Sequence, residues 1–371
     1  MATKVRAAVQ VDDRRIELQE FDFPHIGPAE GLLRVEACGM CGSDLEQYDG
    51  AFKALGLAYP MIPGHEPVGH IEELGAEAAG RWGLKKGDRV VVEPVLPCGH
   101  CRPCLTGAYR RCRSRRAGTS FTGYAFIPTS VPPSLWGGYA QYMYLDPHTV
   151  MHKIPPDLPI ELATLYQPIA AGIRWAHQEP GTGLGDTVVI LGCGQRGLGS
   201  VVAAREAGAQ QVIITGLRKD AHKLALAREF GADATVIVDE ENTVERVSEL
   251  THGEGADVVV DVAAVSVQPV LDAIDIAKPG ATIILASLKG SGATVSNFVS
   301  DKIVTKELTV KGVWSQDTRS VEPALRLIES RKYPLGKMHT HTFSLDQIDL
   351  AIRTLAGEVQ GEEAIHVSIA P

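Results

Sequence analysis

The sequence has no apolar run approaching transmembrane length, and its N-terminus, Met1-Ala-Thr-Lys-Val-Arg, lacks the apolar core of a secretory signal. Those absences predict a cytoplasmic protein with no membrane partner. Excess positive charge is also missing. The formal net charge is −9, which argues against nucleic-acid binding, because non-specific binding needs a basic surface. A local basic cluster, Arg110, Arg111, Arg113, Arg115 and Arg116 around Cys112, reads as a solvated loop face or a subunit contact. Internal repeats and low-complexity segments are absent. Cysteine is scarce, 7 in 371 residues, yet four of them fall at Cys98, Cys101, Cys104 and Cys112. A reducing cytoplasm favours thiolates over disulfides. Four thiolates at such spacing can surround one tetrahedral zinc with no open position, the arrangement of a structural site.

The length suits two domains. The first 165 or so residues read as short β segments broken by turns, among them Leu32-Leu-Arg-Val-Glu-Ala, Arg89-Val-Val-Val-Glu and Tyr139-Ala-Gln-Tyr-Met-Tyr. Near residue 160 the pattern changes. A helix is predicted over 160–177, kinked or interrupted at Pro168. Apolar strands then alternate with helices: Thr187-Val-Val-Ile-Leu191, a helix over 198–207, Gln211-Val-Ile-Ile-Thr215, a helix over 220–230, and strands near 235, 257 and 281. That alternation means a parallel sheet covered on both faces. After about Val313 the chain is expected to rejoin the first domain. The fold class is therefore α/β plus β, with domains at 1–168 with 314–371, and at 169–313; the cysteine lobe spans about 96–116.

Gly192-Cys-Gly194-Gln-Arg-Gly197-Leu-Gly199 follows a predicted strand and opens a helix. This is the context a dinucleotide-binding turn requires: the first glycine turns the chain, the second admits the pyrophosphate, and the third lets helix pack on strand. The helix N-terminus then offers free N–H groups to the phosphates. An NAD-selective site places Asp or Glu at the end of the second strand to hold the ribose 2′-hydroxyl. Here that position is Gly216, followed by Leu217-Arg218-Lys219. An acid would repel a 2′-phosphate, whereas glycine leaves room and Arg218 can meet it with charge-assisted hydrogen bonds, about 1.5–3 kcal/mol each. NADP(H) is expected over NAD(H). Arg196, inside the turn, is a further candidate contact or a solvent-facing side chain.

The cysteine loop, the nucleotide-binding pattern, and the segments Gly39-Met-Cys41-Gly-Ser43-Asp44 and Gly64-His65-Glu66 together resemble the zinc-dependent medium-chain alcohol dehydrogenases, including sorbitol and threonine dehydrogenase-like members. The resemblance runs the whole length of the chain. It implies a GroES-like catalytic domain and a Rossmann doubly wound cofactor domain, with the active site in the cleft between them. Cys41 and His65 then correspond to ligands of a catalytic zinc, Glu66 to the acid beside it, and Cys98, Cys101, Cys104 and Cys112 to the structural zinc set. Ser43 resembles the hydroxyl that takes the alcohol's proton, and Asp44 reads as a supporting acid. The sequence departs from the family twice. Gln167 stands where the third zinc ligand is usually Cys, Asp or Glu, so Glu66 completes the site, Gln167 ligates weakly, or zinc binds loosely. Glu46 stands where many members carry a proton-relaying histidine, and is either a relay carboxylate or an exposed helix-end acid.

The resemblance implies hydride transfer between an alcohol and a nicotinamide cofactor, with a small-molecule alcohol, aldehyde or ketone as partner and a homodimer or homotetramer as the assembly. Phe121-Thr-Gly-Tyr-Ala-Phe-Ile-Pro is unusually aromatic and is expected to fold towards the pocket, favouring a bulky or aromatic alcohol, or else to form a subunit contact. Tyr48, Phe52, Trp136 and Trp314 are weaker pocket candidates. The alternatives are an NAD-dependent polyol or amino-alcohol dehydrogenase, and a catalytically impaired member that only binds NADPH.

Overall fold

The computed structural model describes residues 4–112, 122–290 and 292–371. Arg113, Arg115, Arg116 and Phe121 lie outside the described residues. The chain divides into two compact units, the first running to Tyr166 and resuming at His339–Pro371, the second Gln167–Met338.

The first unit opens with a hairpin, β1 (Lys4–Asp12) and β2 (Arg15–Asp22), followed by β3 (Gly31–Met40), β4 (Glu66–Leu74), β5 (Arg89–Val92), β6 (Tyr142–Leu145) and β7 (Met151–Lys153). The second unit contributes β8 (Thr187–Leu191), β9 (Gln211–Gly216), β10 (Ala234–Ile237), β11 (Ala256–Asp261), β12 (Ala277–Leu285) and β13 (Thr309–Gly312). The chain then returns to the first unit as β14 (His339–Ser344) and β15 (His366–Ala370). Its main sheet runs β14-β15-β3-β4-β5-β7, with β6 also on β3. Leu32, Leu33, Val90, Met143, Trp136 and Val367 lie in its core, so Trp136 is a packing residue rather than a pocket wall.

The second unit's sheet runs β10-β9-β8-β11-β12-β13, parallel throughout. This is the strand order of a doubly wound nucleotide-binding sheet, whose ligands bind beyond the carboxyl ends of the strands where the order reverses. In β8, β9 and β11 nearly every residue is buried on both faces, as continuous apolar runs require.

Two sequence expectations are corrected. The break in the helix over 160–177 precedes Pro168: one helix ends at Ala163, another spans Tyr166–Gly172 with Pro168 in its first turn, and a π-helical turn covers Ile173–Gln178. Proline is tolerated in a first turn, where its missing N–H has no partner to lose. Residues 314–338 belong to the second unit, not the first. Arg174, buried in the π-helical turn, ties the start of this segment to the second unit, donating to the carbonyls of Trp314 and Ser315 and to Glu179. Gln178 likewise donates to the Arg319 carbonyl at 2.8 Å. A buried guanidinium needs such partners, and they hold the following segment in place.

The helix after β8, α1 (Gln195–Glu206), packs directly on the glycine turn. A Cβ on Gly197 would lie 2.0 Å from the Gly192 carbonyl oxygen, while Gly192 itself turns the chain at φ +109°. Gly197→Ala is therefore expected to push α1 off the turn, costing about 1–3 kcal/mol and lowering Tm by several degrees in a thermal melt. An unchanged Tm would show that the helix moves freely.

Candidate active site

β3 ends at Met40, and the chain turns at Cys41 into a short helix, Gly42–Tyr48. His65 immediately precedes β4. Because β3 and β4 run antiparallel with Gly39 opposite Glu66, Cys41 and His65 meet at one end of the pair. Cys41 Sγ lies 3.2 Å from His65 Nε2 and 2.7 Å from Ser43 Oγ. Glu66 Oε1 is 3.9 Å from His65 Nε2. Cys41, His65 and Glu66 are all buried, and their ligand atoms lie within 4.8 Å of one another. One sulfur, one imidazole nitrogen and one carboxylate oxygen at these separations fit zinc, whose bonds to such atoms run about 2.0–2.3 Å.

Asp44 ties this cluster together. Its Oδ2 accepts the Cys41 backbone N–H at 2.8 Å, and its Oδ1 faces His65 Nδ1 at 3.4 Å. Holding Nδ1 leaves Nε2 turned to Cys41, the usual way a second acid orients a ligating imidazole. Burial pulls the His65 imidazole towards neutrality, but Asp44 and Cys41 together hold it well above the usual histidine range. Behind Glu66 stands His366, fully buried on β15; a Cβ on Gly39 would lie 2.8 Å from Glu66 Oε2 and 3.0 Å from His366 Nε2. The His366 ring is paired through Nδ1 with His339 Nδ1 at 3.0 Å, and burial lowers it to about 3, so it is neutral. One aromatic ring lies beside the cluster: Phe126 sits 5.9 Å from the His65 ring, with the Phe52 ring 6.2 Å from Phe126.

The other predicted positions fall as follows. Glu46 is half-buried in the helix that carries Ser43. Gln167 belongs to the second unit, is buried, and accepts a hydrogen bond through Oε1 from Gln316 Nε2. Tyr48 is buried and donates its hydroxyl to Asp349, whereas Trp314 is 48% exposed.

In the cysteine lobe, the sulfurs of Cys98 and Cys104 are 3.9 Å apart, those of Cys101 and Cys112 3.8 Å, and those of Cys101 and Cys104 3.4 Å. Zinc–sulfur bonds of about 2.3 Å in a tetrahedron place sulfurs about 3.8 Å apart, so the four fit one zinc, and all are free thiols. Backbone N–H groups of the loop, with that of His100 foremost, lower the Cys98 thiol to about 6, while burial raises Cys104 to about 12.

At the glycine turn, Gly194 is exposed with no atom near its Cα face, Gly192 N–H donates to Thr215 Oγ1 at 3.1 Å, and the Arg196 guanidinium lies 5.2 Å over the Trp175 ring. Leu217, Arg218 and Lys219 follow β9 and are exposed.

Residues 27–156 match the alcohol dehydrogenase GroES-like domain and residues 197–330 the zinc-binding dehydrogenase domain. A Mycobacterium tuberculosis protein described as a probable alcohol dehydrogenase is 43% identical over 99% of this chain and 98% of its own. The chain belongs to the zinc-dependent medium-chain alcohol dehydrogenases. An erythritol/L-threitol dehydrogenase of Mycolicibacterium smegmatis is 33% identical over 99% of this chain and 98% of its own. The crystal structure of an alcohol dehydrogenase from Thermotoga maritima superposes with a TM-score of 0.85 at 27% identity, covering all of both chains.

Within this dehydrogenase, sequence reasoning missed His366, His339 and Gln316, and left the side of Asp44 that faces His65 unspecified. None of the three carries a local motif; each reaches its partner across the fold. Among the described residues, no helix is long and apolar enough to cross a membrane.

Elemental analysis should find two zinc ions per subunit, with Cys98→Ser and Cys41→Ser each losing one; two ions retained in either variant would exclude that cluster as a metal site. The lobe's affinity should also depend on pH with a definite sign. Cys98 is already a thiolate above pH 6 and releases no proton to zinc there, whereas Cys104 must lose one. Zinc competition with a chelator should therefore weaken more steeply per pH unit below pH 6 than above it.

Proposed function

We propose that this dehydrogenase transfers hydride between a bulky or aromatic alcohol, or the corresponding carbonyl compound, and NADP(H). The observation that carries the reading is the buried cluster of Cys41, His65 and Glu66 with the Ser43 hydroxyl at its edge and the Phe126 ring, itself next to Phe52, beside it. Cys41, His65 and Glu66 would hold a zinc ion, which would supply a Lewis acid that lowers an alcohol's pKa as it does that of water, which falls from 15.7 to about 7. Ser43 Oγ, 2.7 Å from Cys41 Sγ and 3.4 Å from His65 Nε2, is placed to accept the alcohol's proton. Glu46, in the same helix, is the candidate for passing that proton on. Asp44 keeps the imidazole oriented, and the aromatic rings exclude water from one side. In the second unit Gly192 and Gly194 form the turn that receives the pyrophosphate, Gly197 and Gly199 let α1 pack close behind it, and Arg218 and Lys219 beside Gly216 receive the 2′-phosphate.

Supporting the cofactor choice, a Sinorhizobium meliloti 1021 protein of the same fold, 26% identical with a TM-score of 0.84, has NADP bound in its crystal structure. With Gln167 Oε1 already engaged by Gln316, the carboxylate of Glu66 is the better third ligand. We take the working assembly as a homo-oligomer: β13 is an edge strand, and Val310 on it is 41% exposed. The site lies in the cytoplasm on this reading. The second reading, an NAD-using polyol dehydrogenase, is favoured by the 33% identity to the erythritol/L-threitol enzyme.

Initial rates with benzyl-type alcohols, ethanol and a polyol decide between them: kcat/KM is expected to be highest for the benzyl-type substrate with NADP⁺, and a clear polyol preference would overturn the substrate class. Ser43→Ala should lower kcat by about 10²-fold or more, the range of general acid–base catalysis, with zinc content unchanged.

A further inference from the structure

The end of β9, where an acid is missing, is closely packed. A Cβ on Gly216 would lie 2.5 Å from Cys193 Sγ and 3.1 Å from Leu224 Cδ2. A carboxylate side chain there would have to displace the ends of the Cys193 and Leu224 side chains, so the discrimination between the two nicotinamide cofactors is sought in the residues beside it. The adjacent strand brings acids to the same place. Ile237 of β10 lies opposite Gly216, and the Val238 N–H donates to the Gly216 carbonyl at 3.0 Å. The next two residues are Asp239 and Glu240. Asp239 Oδ1 accepts the Arg218 backbone N–H at 2.8 Å, and the Arg218 guanidinium donates through Nε and Nη2 to the two oxygens of Glu240.

We infer that Glu240 is a specificity-determining residue for the cofactor: it holds the Arg218 fork, and must release it when a 2′-phosphate binds. The inference rests on the reading of Arg218 as the phosphate contact. A planar guanidinium offers one fork, and a carboxylate and a phosphate compete for it in the same bidentate geometry. The released carboxylate then stands close to a phosphate of like charge, which repels it. A cofactor with a free 2′-hydroxyl leaves the Arg218–Glu240 pair intact. Glu240 thus lowers affinity for NADP(H) and not for NAD(H). Its side chain is 44% exposed and that of Arg218 57% exposed, so water screens the pair and it can open.

The test is the dissociation constant of NADPH and of NADH, by fluorescence at fixed ionic strength, for the wild-type chain, Glu240→Gln, Arg218→Ala and the double variant. Glu240→Gln keeps the size of an exposed side chain, so the fold is retained. It should tighten NADPH about fivefold, the upper range of an exposed ion pair, and leave NADH within about twofold. Most of that gain should vanish when Arg218 is alanine. An unchanged NADPH affinity in Glu240→Gln, while Arg218→Ala still weakens NADPH, overturns the role of Glu240 alone. Equal tightening of both cofactors overturns it as well. If Arg218→Ala leaves NADPH binding untouched, the phosphate reading of Arg218 falls and the inference falls with it.

Discussion

The register between β3 and β4 is the constraint on which the candidate cluster of Cys41, His65 and Glu66 depends. Gly39 pairs with Glu66, and on its other side β3 is held by β15, with Met40 opposite Val367. Cys41 thus leaves a strand pinned on both flanks, and His65 enters the strand next to it. A one-residue slip would exchange the faces of every side chain on the slipped strand, taking His65 and Glu66 out of register with Cys41. Asp44 then closes the arrangement from the helix after Cys41, accepting from the Cys41 backbone with one oxygen and facing His65 with the other. Sheet pairing sets the approach of the two ligands, and one carboxylate sets their orientation.

The two groups of ligand-type residues, each able to hold a metal ion, differ in charge as well as in construction. Four thiolates around a divalent ion leave a net negative centre with no coordination position open, which suits bracing a loop and not polarising a substrate. One thiolate, one carboxylate and one neutral imidazole would balance the charge of a divalent ion and would suit Lewis-acid chemistry. The cysteine lobe is also joined to the sheet by a separate polar contact. Tyr109, just before Cys112, donates to the buried carboxylate of Glu93, which also pairs with His152 at 2.7 Å.

What was legible in the sequence followed from local spacing. The four cysteines lie within one loop, and the glycines of 192–199 follow one apolar strand, so each declares its chemistry without knowledge of the fold. The strands of the second unit were legible because burial on both faces writes them as unbroken apolar runs. Cys41, His65 and Glu66 were legible only through family resemblance, since a lone cysteine and a lone histidine carry no spacing rule. The placing of residues 314–338 was misread because Arg174 acts on Trp314 and Ser315 from far along the chain, and no periodicity records such a bond. His366, Gln316 and Glu240 escaped for the same reason: each matters through a partner that folding brings to it.

The glycine at position 216 shows how one residue supports different arguments at different levels. As sequence, Gly216 is a missing acid, and the absence points towards a phosphorylated ribose. In the fold, the same glycine is the complement of Cys193, the middle residue of the turn, whose sulfur occupies the space an acid would need. The glycine thus has a packing partner as well as a place beside the ribose site. Selectivity passes to the residues just beyond, where Arg218 offers a cation and Glu240 already holds it. A change at position 216 therefore acts first on Cys193 and the turn, and only through them on the ribose. The cation and its carboxylate partner, both outside the close-packed turn, are free to vary without disturbing the fold, and discrimination between the cofactors can shift there at little cost in stability.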